Sequence, residues 1–276
     1  MSAPIKACVI GNPIDHSLSP MLHGFWLKQY GINGTYTAQR VLTEELDAFF
    51  LQLRKRDYAG CNITLPHKEA AMKYMDEVSD VATKAGAINT VIVQQNGTLY
   101  GTNTDVYGFR QNMVATIGED YFANKQALVL GAGGAARGVC LALQTLGCRV
   151  SIANRTKDKA ETIAESIGKI SVIDWEEKEE ALSQTGVLIN TTSLGLVGSA
   201  PLTLSLAALS PDAVVSDIVY KPLHTPLLQQ AALRGNKIVT GIGMLLYQAV
   251  PGFEAWFGVK PQVTQELEQY MVRVVT

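Results

Sequence analysis

Cysteine is scarce in this 276-residue chain: Cys8, Cys61, Cys140 and Cys148 each lie in an apolar run, with no C-x-x-C spacing and no histidines clustered nearby. That pattern implies buried thiols, with neither a disulfide framework nor a zinc site. An excess of one charge is also lacking, Lys+Arg 23 standing against Asp+Glu 25 for a formal net charge of -2. The balance argues against nucleic acid or an anionic membrane as the main partner and favours a small molecule. No apolar run approaches the ~18 residues that cross a bilayer. The opening MSAPIKACVIGNP has neither a signal-peptide core nor an Arg-rich transit pattern, so the expected compartment is the cytoplasm. His16, His23, His67 and His224 show no i,i+4 ligand spacing, which leaves metal catalysis unsupported.

What is there in quantity is alternation. Short apolar runs and amphipathic segments follow one another from end to end, the pattern of an α/β fold with parallel strands, and the length suits two domains of ~100 to 200 residues each. The first half reads as strand 6–10, helix 20–30, strand 35–41, helix 44–56, strand 60–64, helix 66–75 and helix 79–84. Asn96-Gly97 between two β-rich runs predicts a hairpin with a type I′ turn. A helix over 106–117 precedes a polar stretch, GEDYFANKQ, and a second, cleaner alternation. The apolar segment GMLLYQAVPGFEAWFG needs burial on several sides, and Pro251 is expected to kink or divide its helix. The resulting division is a discontinuous substrate domain, 1–105 with 243–276, around a nucleotide domain, 106–242.

QALVLGAGGAARG places Gly131, Gly133 and Ala136 in G-x-G-x-x-A spacing between a strand and a helix. Glycine there allows a tight turn and close approach of backbone to a pyrophosphate seated on helix N–H groups, the Rossmann fingerprint of a doubly wound sheet. The next strand ends about 23 residues after Gly131, where an acidic residue would select NAD. Asn154, Arg155, Thr156 and Lys159 stand there instead, cations and a hydroxyl suited to a 2′-phosphate, so the expected cofactor is NADP. Strands 187–190, 213–218 and 237–239 end in NTTSLGL, DIVY and TGIG, which should open onto the ligand crevice. Gly241 and Gly243 either admit the nicotinamide or form a plain turn.

GNPIDHSLSP sets Ser17 and Ser19 before Pro20 at a helix start. Ser19 reads as the cap and Pro20 as the first helical residue, which leaves Ser17 for either a spare hydroxyl or half of a carboxylate seat. In GCNITLPHKEAAM, Lys68 falls in the first turn of the expected helix, against the dipole, a placement that suits a proton shuttle or else a solvated lysine. Asp105 in GTNTDVYGF precedes a helix and reads equally as cap or catalyst. Asn62, Thr64, Asn89, Thr104 and Gln248 supply neutral donors and acceptors fit for a polyhydroxylated substrate. A hydrolase triad from Asp15, His16 and a serine is rejected, since adjacent residues do not converge and no G-x-S-x-G elbow exists.

Taken together, GNPIDHSLSPMLH, GCNITLPHK, GAINTV, GTNTDVYGF, GAGGAARG, NRT, DIVY and GIGMLLYQA resemble the shikimate dehydrogenase family over essentially the whole chain. The resemblance implies NADP-dependent reduction of 3-dehydroshikimate to shikimate in aromatic biosynthesis, by a monomer or homodimer. It assigns the substrate carboxylate to Ser17 and Ser19, and the ring and its hydroxyls to Asn62, Thr64, Asn89, Asp105, Tyr220 and Gln248. Lys68 becomes the acid/base group, partnered with Asp105. Gly131, Ala132, Gly133, Gly134, Ala135, Asn154, Arg155, Thr156, Lys159, Ile218 and Gly241 fall to the cofactor, and Asp80, grouped with them, is implied as the family's acidic residue near the domain cleft. Gly24 replaces a frequent Asn, and Lys159 a frequent Arg; the second change removes a planar fork from the phosphate site. Two alternatives stay open: a quinate/shikimate dehydrogenase of broader substrate or cofactor use, and an NADP sensor without turnover.

Overall fold

The computed structural model describes residues 3–275. The chain divides into two compact units, one running to Thr104 and including Gln248–Leu267, the other comprising Asp105–Tyr247 and the residues from Glu268 onward.

The first unit contains β1 (Ile5–Gly11), α1 (Ser19–Gln29), β2 (Gly34–Arg40), α2 (Leu46–Leu53), β3 (Gly60–Ile63), β4 (Glu77–Val78), α3 (Asp80–Ala85), β5 (Thr90–Val93) and β6 (Leu99–Thr102). Its sheet runs β2-β1-β3-β5-β6-β4, with β1 parallel to both β2 and β3, and β5 antiparallel to β3 and β6. Residues 7–11 of β1 and the whole of β3 are buried, as strands covered on both faces must be. One core gathers Cys8, Ile10, Phe50, Leu53, Cys61, Ile63, Val91 and Leu99. Truncating a buried ring such as Phe50 to alanine costs about 3–5 kcal/mol in such cores. Trp256 adds an anchor by donating from Nε1 to the Val91 carbonyl at 3.0 Å.

The second unit holds α4 (Asp105–Ile117), β7 (Gln126–Leu130), α5 (Ala136–Thr145), β8 (Arg149–Ala153), α6 (Lys157–Ile167), β9 (Ile170–Ile173), β10 (Val187–Asn190), β11 (Val214–Asp217), α7 (Pro226–Leu233) and β12 (Lys237–Val239). Two further helices follow in the chain, α8 (Ile242–Phe257) and α9 (Gln265–Val275). The six strands lie in the order β12-β11-β10-β7-β8-β9 and every pairing is parallel. The order reverses direction between β10 and β7, so the ligand crevice of such a sheet lies outside the carboxyl ends of these strands.

Four local expectations are corrected. No α-helix covers 66–75: turns run through 65–69 and a 3-10 helix spans only Ala70–Tyr74. The Lys68 carbonyl accepts from the Ile88 N–H at 2.8 Å, a tertiary bond that removes it from any helical ladder. Lys68 therefore opposes no α-helix dipole. Ser19 does not cap α1; the cap position is Leu18, and the Ser17 hydroxyl accepts the Ser19 N–H at 3.4 Å. The hairpin has no two-residue I′ turn: the Gly97 N–H reaches the Gln94 carbonyl at 2.9 Å, and only Gly97 of the pair stands at positive φ, +83. Asn96 is held by its own side chain, whose oxygen accepts the Thr98 N–H at 3.0 Å. The helix expected to reach Arg56 ends at Leu53, and Arg56 at φ 68 blocks its continuation. Of the two outcomes expected at Pro251, kinking or dividing, the division does not occur, since α8 runs through it as one helix.

Candidate active site

In the first unit, the loop after β1 and the ends of β3, β5 and β6 bring together most of the polar residues singled out above. Ser17 is half-buried, while Ser19, in the first turn of α1, is buried. Thr64 follows β3 directly; its N–H donates to the Ile10 carbonyl at 2.9 Å and its own carbonyl receives the His67 N–H at 3.0 Å. That turn carries half-buried Lys68. His67, buried beside it, is fixed by a 2.7 Å contact between Nε2 and the Val41 carbonyl. Asn62 and Asn89 are both buried. Asn62 spends both amide hydrogens within the protein, on the Asn89 carbonyl and on Thr90 Oγ1, each at 3.0 Å. Asn89 Oδ1 in turn accepts from the Thr104 N–H at 2.7 Å and the Thr104 hydroxyl at 3.1 Å. Asp80 is exposed in the first turn of α3, behind the cap Ser79, whose hydroxyl accepts the Ala82 N–H at 3.2 Å. Gln248 is buried on α8.

In the second unit, the turn between β7 and α5 shows two kinds of glycine. Gly131 stands at φ +103, and a Cβ there would meet Thr192 Cγ2 at 2.8 Å and Thr191 Oγ1 at 2.9 Å, so the fold itself requires it. Gly133 and Gly134 are different: neither has positive φ, and a Cβ on either would meet nothing within 4 Å. No protein atom demands glycine at those two positions, just before α5. Ala132 and Ala135 complete the turn, the Ala132 N–H donating to Asn154 Oδ1 at 3.1 Å. Asn154 also donates to the Thr156 carbonyl at 2.7 Å, which shapes the loop that presents Arg155, Thr156 and Lys159 to solvent. Their donors fit a nucleotide phosphate, as the sequence implies. Lys157 differs from them, paired with Asp174 at 2.6 Å.

Farther along the strand ends, Gly241 lies against the backbone of Ile218 and Val219, whose carbonyl oxygens occupy the place of a Cβ. Gly243 is similarly closed by the carboxamide of Asn112. Packing therefore accounts for both glycines. Tyr220 is half-buried, and burial raises its phenol above the usual range. Asp105 is the first residue of α4 and half-buried.

Three structural supports beside the candidate residues escaped the sequence reading. Tyr36 donates to Asn62 Oδ1 at 2.5 Å. Asn112 donates to the Thr240 carbonyl at 2.8 Å, steadying the turn that holds Gly241. Asp217, fully buried at the end of β11, accepts from Asn190 at 3.0 Å, from the Thr225 hydroxyl at 2.7 Å and from the Val219 N–H at 3.0 Å. It thereby pins the loop carrying Ile218 and Tyr220, and burial raises its carboxyl above the ordinary range. Only its place in DIVY at a strand end offered a signal. Among the described residues no group of three or more His, Cys, Asp or Glu could hold a metal ion, and no helix is long and apolar enough to cross a membrane.

Comparison with known families places three matches along the chain: the shikimate dehydrogenase substrate-binding domain over residues 9–91, shikimate/quinate 5-dehydrogenase over 113–197, and the shikimate 5′-dehydrogenase C-terminal domain over 241–265. The chain belongs to the shikimate dehydrogenase family. It is 48% identical over 268 residues to a shikimate dehydrogenase (NADP(+)) of Paramagnetospirillum magneticum, covering 96% of this chain and 97% of that one. A second such protein, from Dinoroseobacter shibae, is 49% identical over 265 residues, covering 95% of each. Among solved structures, shikimate 5-dehydrogenase from Thermus thermophilus in complex with NADP(H) and shikimate superposes with a TM-score of 0.86 at 36% identity, over 99% of this chain and 100% of that one.

Proposed function

We propose that this chain catalyses the reversible NADPH-dependent reduction of 3-dehydroshikimate to shikimate in aromatic biosynthesis. Near-full-length identity to NADP(+) shikimate dehydrogenases carries the reading. The glycines at 133 and 134, for which the protein's own packing has no use, support it from the fold.

NADP(H), when bound, supplies or accepts the hydride. The residues that would hold it are the 131–135 turn, Asn154, Arg155, Thr156 and Lys159 at the ribose phosphate, Ile218 and Gly241 at the nicotinamide end, and Asp80. Ser17 and Ser19 grip the substrate carboxylate. Thr64, Asn89, Tyr220 and Gln248 hold ring hydroxyls, with Asn62 beside them. In the reductive direction Lys68, as the ammonium, gives a proton to the oxygen of the C3 ketone as that carbon gains two electrons and a hydrogen; shikimate leaves with the new hydroxyl. Asp105 is the carboxylate paired with Lys68 in this proposed mechanism and takes the neighbouring hydroxyl of the substrate. Charge that develops only during the step is where such groups lower the barrier.

The reading places the chain in the cytoplasm as a monomer or homodimer. An assay of NADPH oxidation with 3-dehydroshikimate tests it, with shikimate and quinate each run against NADP and NAD in the reverse direction. Turnover strongest for shikimate with NADP is the expected result. No turnover with any pair overturns it, and equal kcat/KM for quinate moves the chain to the broader quinate/shikimate activity.

A further inference from the structure

We infer that Tyr36, on β2, is a positioning residue whose phenol hydroxyl sets the carboxamide of Asn62 and, through it, that of Asn89 in the substrate pocket. The inference rests on the function proposed above.

Tyr36 is buried, and its O–H donates to Asn62 Oδ1 at 2.5 Å with the Ser19 hydroxyl also in hydrogen-bonding reach. Burial pushes this phenol well above the usual range, so it remains a donor at every working pH. Asn62 then has one acceptable orientation. Its oxygen faces the phenol and its two hydrogens face the Asn89 carbonyl and Thr90 Oγ1. A reversed amide would set oxygen against the Asn89 carbonyl, acceptor against acceptor. Thr90 Oγ1 lies 3.0 Å from Asn89 Oδ1, so the order passes to the carboxamide of Asn89, whose oxygen is turned inward onto Thr90 and Thr104. One hydroxyl thus sits at the head of a chain of bonds reaching Asn62 and, through Thr90, Asn89.

The ring itself is held flat. His23 stacks on it at 3.9 Å with 4° between the planes, and Trp256 lies tilted at 6.0 Å. Neither ring nitrogen of His23 has a hydrogen-bond partner, so His23 serves Tyr36 as an apolar surface.

Tyr36→Phe keeps the stack and the volume and removes only the donor, which leaves Asn62 Oδ1 buried without it. KM for shikimate should rise ~10-fold, while KM for NADP+ and the melting temperature stay near wild type and kcat falls less than KM rises. Asn62→Ala, which cuts the chain one link later, should raise KM for shikimate with the same sparing of NADP+, and adding Tyr36→Phe to it should have no further effect. A shikimate KM for Tyr36→Phe within twofold of wild type overturns the inference. So does a rise in both KM values together with a fall in melting temperature, because a merely structural role gives that result. If Tyr36→Phe does not fold, the Asn62→Ala ratio decides alone, and equal effects on the two KM values overturn the inference. A wild type inactive on shikimate overturns the function and this inference together, whereas an active wild type with an unaltered Tyr36→Phe overturns this one only.

Discussion

The carboxamide of Asn112 fills the space in which a side chain on Gly243 would begin, and its nitrogen holds the Thr240 carbonyl at 2.8 Å. Gly241, two residues earlier, is closed instead by the backbone of Ile218 and Val219. A side chain can rotate away where a backbone carbonyl cannot, so the two glycines differ in how hard they are to replace. Gly241→Ala should cost more stability than Gly243→Ala, with overpacking in the range of about 1–3 kcal/mol. Urea denaturation of both variants checks the order, and Asn112→Ala should relieve Gly243→Ala but not Gly241→Ala.

Gly133→Ala should separate folding from cofactor binding. With no atom in the way and no positive φ, the alanine is accommodated, and it narrows the unfolded ensemble by about 0.4–1 kcal/mol in favour of folding. If this turn seats the pyrophosphate as proposed, the methyl crowds its approach, so KM for NADPH should rise at least ~10-fold. A melting curve and a cofactor titration on the same preparation test both halves; a fall in stability with unchanged KM would refute the reading.

Lys68→Ala should lower kcat by ~100-fold or more, the scale of general acid/base catalysis, with a smaller change in KM for shikimate. Normal turnover in this variant removes Lys68 from the mechanism. Ser17→Ala should do the reverse, raising KM for shikimate while sparing kcat.

His23 predicts a pH dependence of stability. Complete burial pulls its imidazole from 6.5 down to about 3. A base with a depressed folded pKa is protonated more readily when unfolded, so its full contribution is present above the unfolded value and is lost as pH falls below about 6.5 toward 3. From pH 6.5 to 5 the loss is about 2 kcal/mol. His23→Phe keeps a ring against Tyr36 and abolishes this component, so chemical denaturation at pH 7 and pH 5 should show a smaller acid loss in the variant than in wild type.

How far the sequence could be read depended on whether the signal was local. Strands 187–190 and 237–239 coincide with β10 and β12, because an apolar run between turn residues in an alternating pattern is sufficient information for a buried parallel strand. The glycine turn and the Asn154–Lys159 loop were equally visible. The helix over 66–75 failed because the bond that breaks it, from the Ile88 N–H to the Lys68 carbonyl, joins segments 20 residues apart. Tyr36, Asn112 and Asp217 were missed for the same reason. A tyrosine in a strand or an asparagine in a helix has nothing distinctive until its partner from another segment is known.

The glycines after β7 record two separate pressures. Gly131 answers to Thr191 and Thr192, and Gly133 and Gly134 answer to nothing the chain itself supplies. In a descendant that gave up its dinucleotide while keeping its architecture, the first would persist and the other two would drift. The state of that short turn would then serve as a fossil of lost redox chemistry.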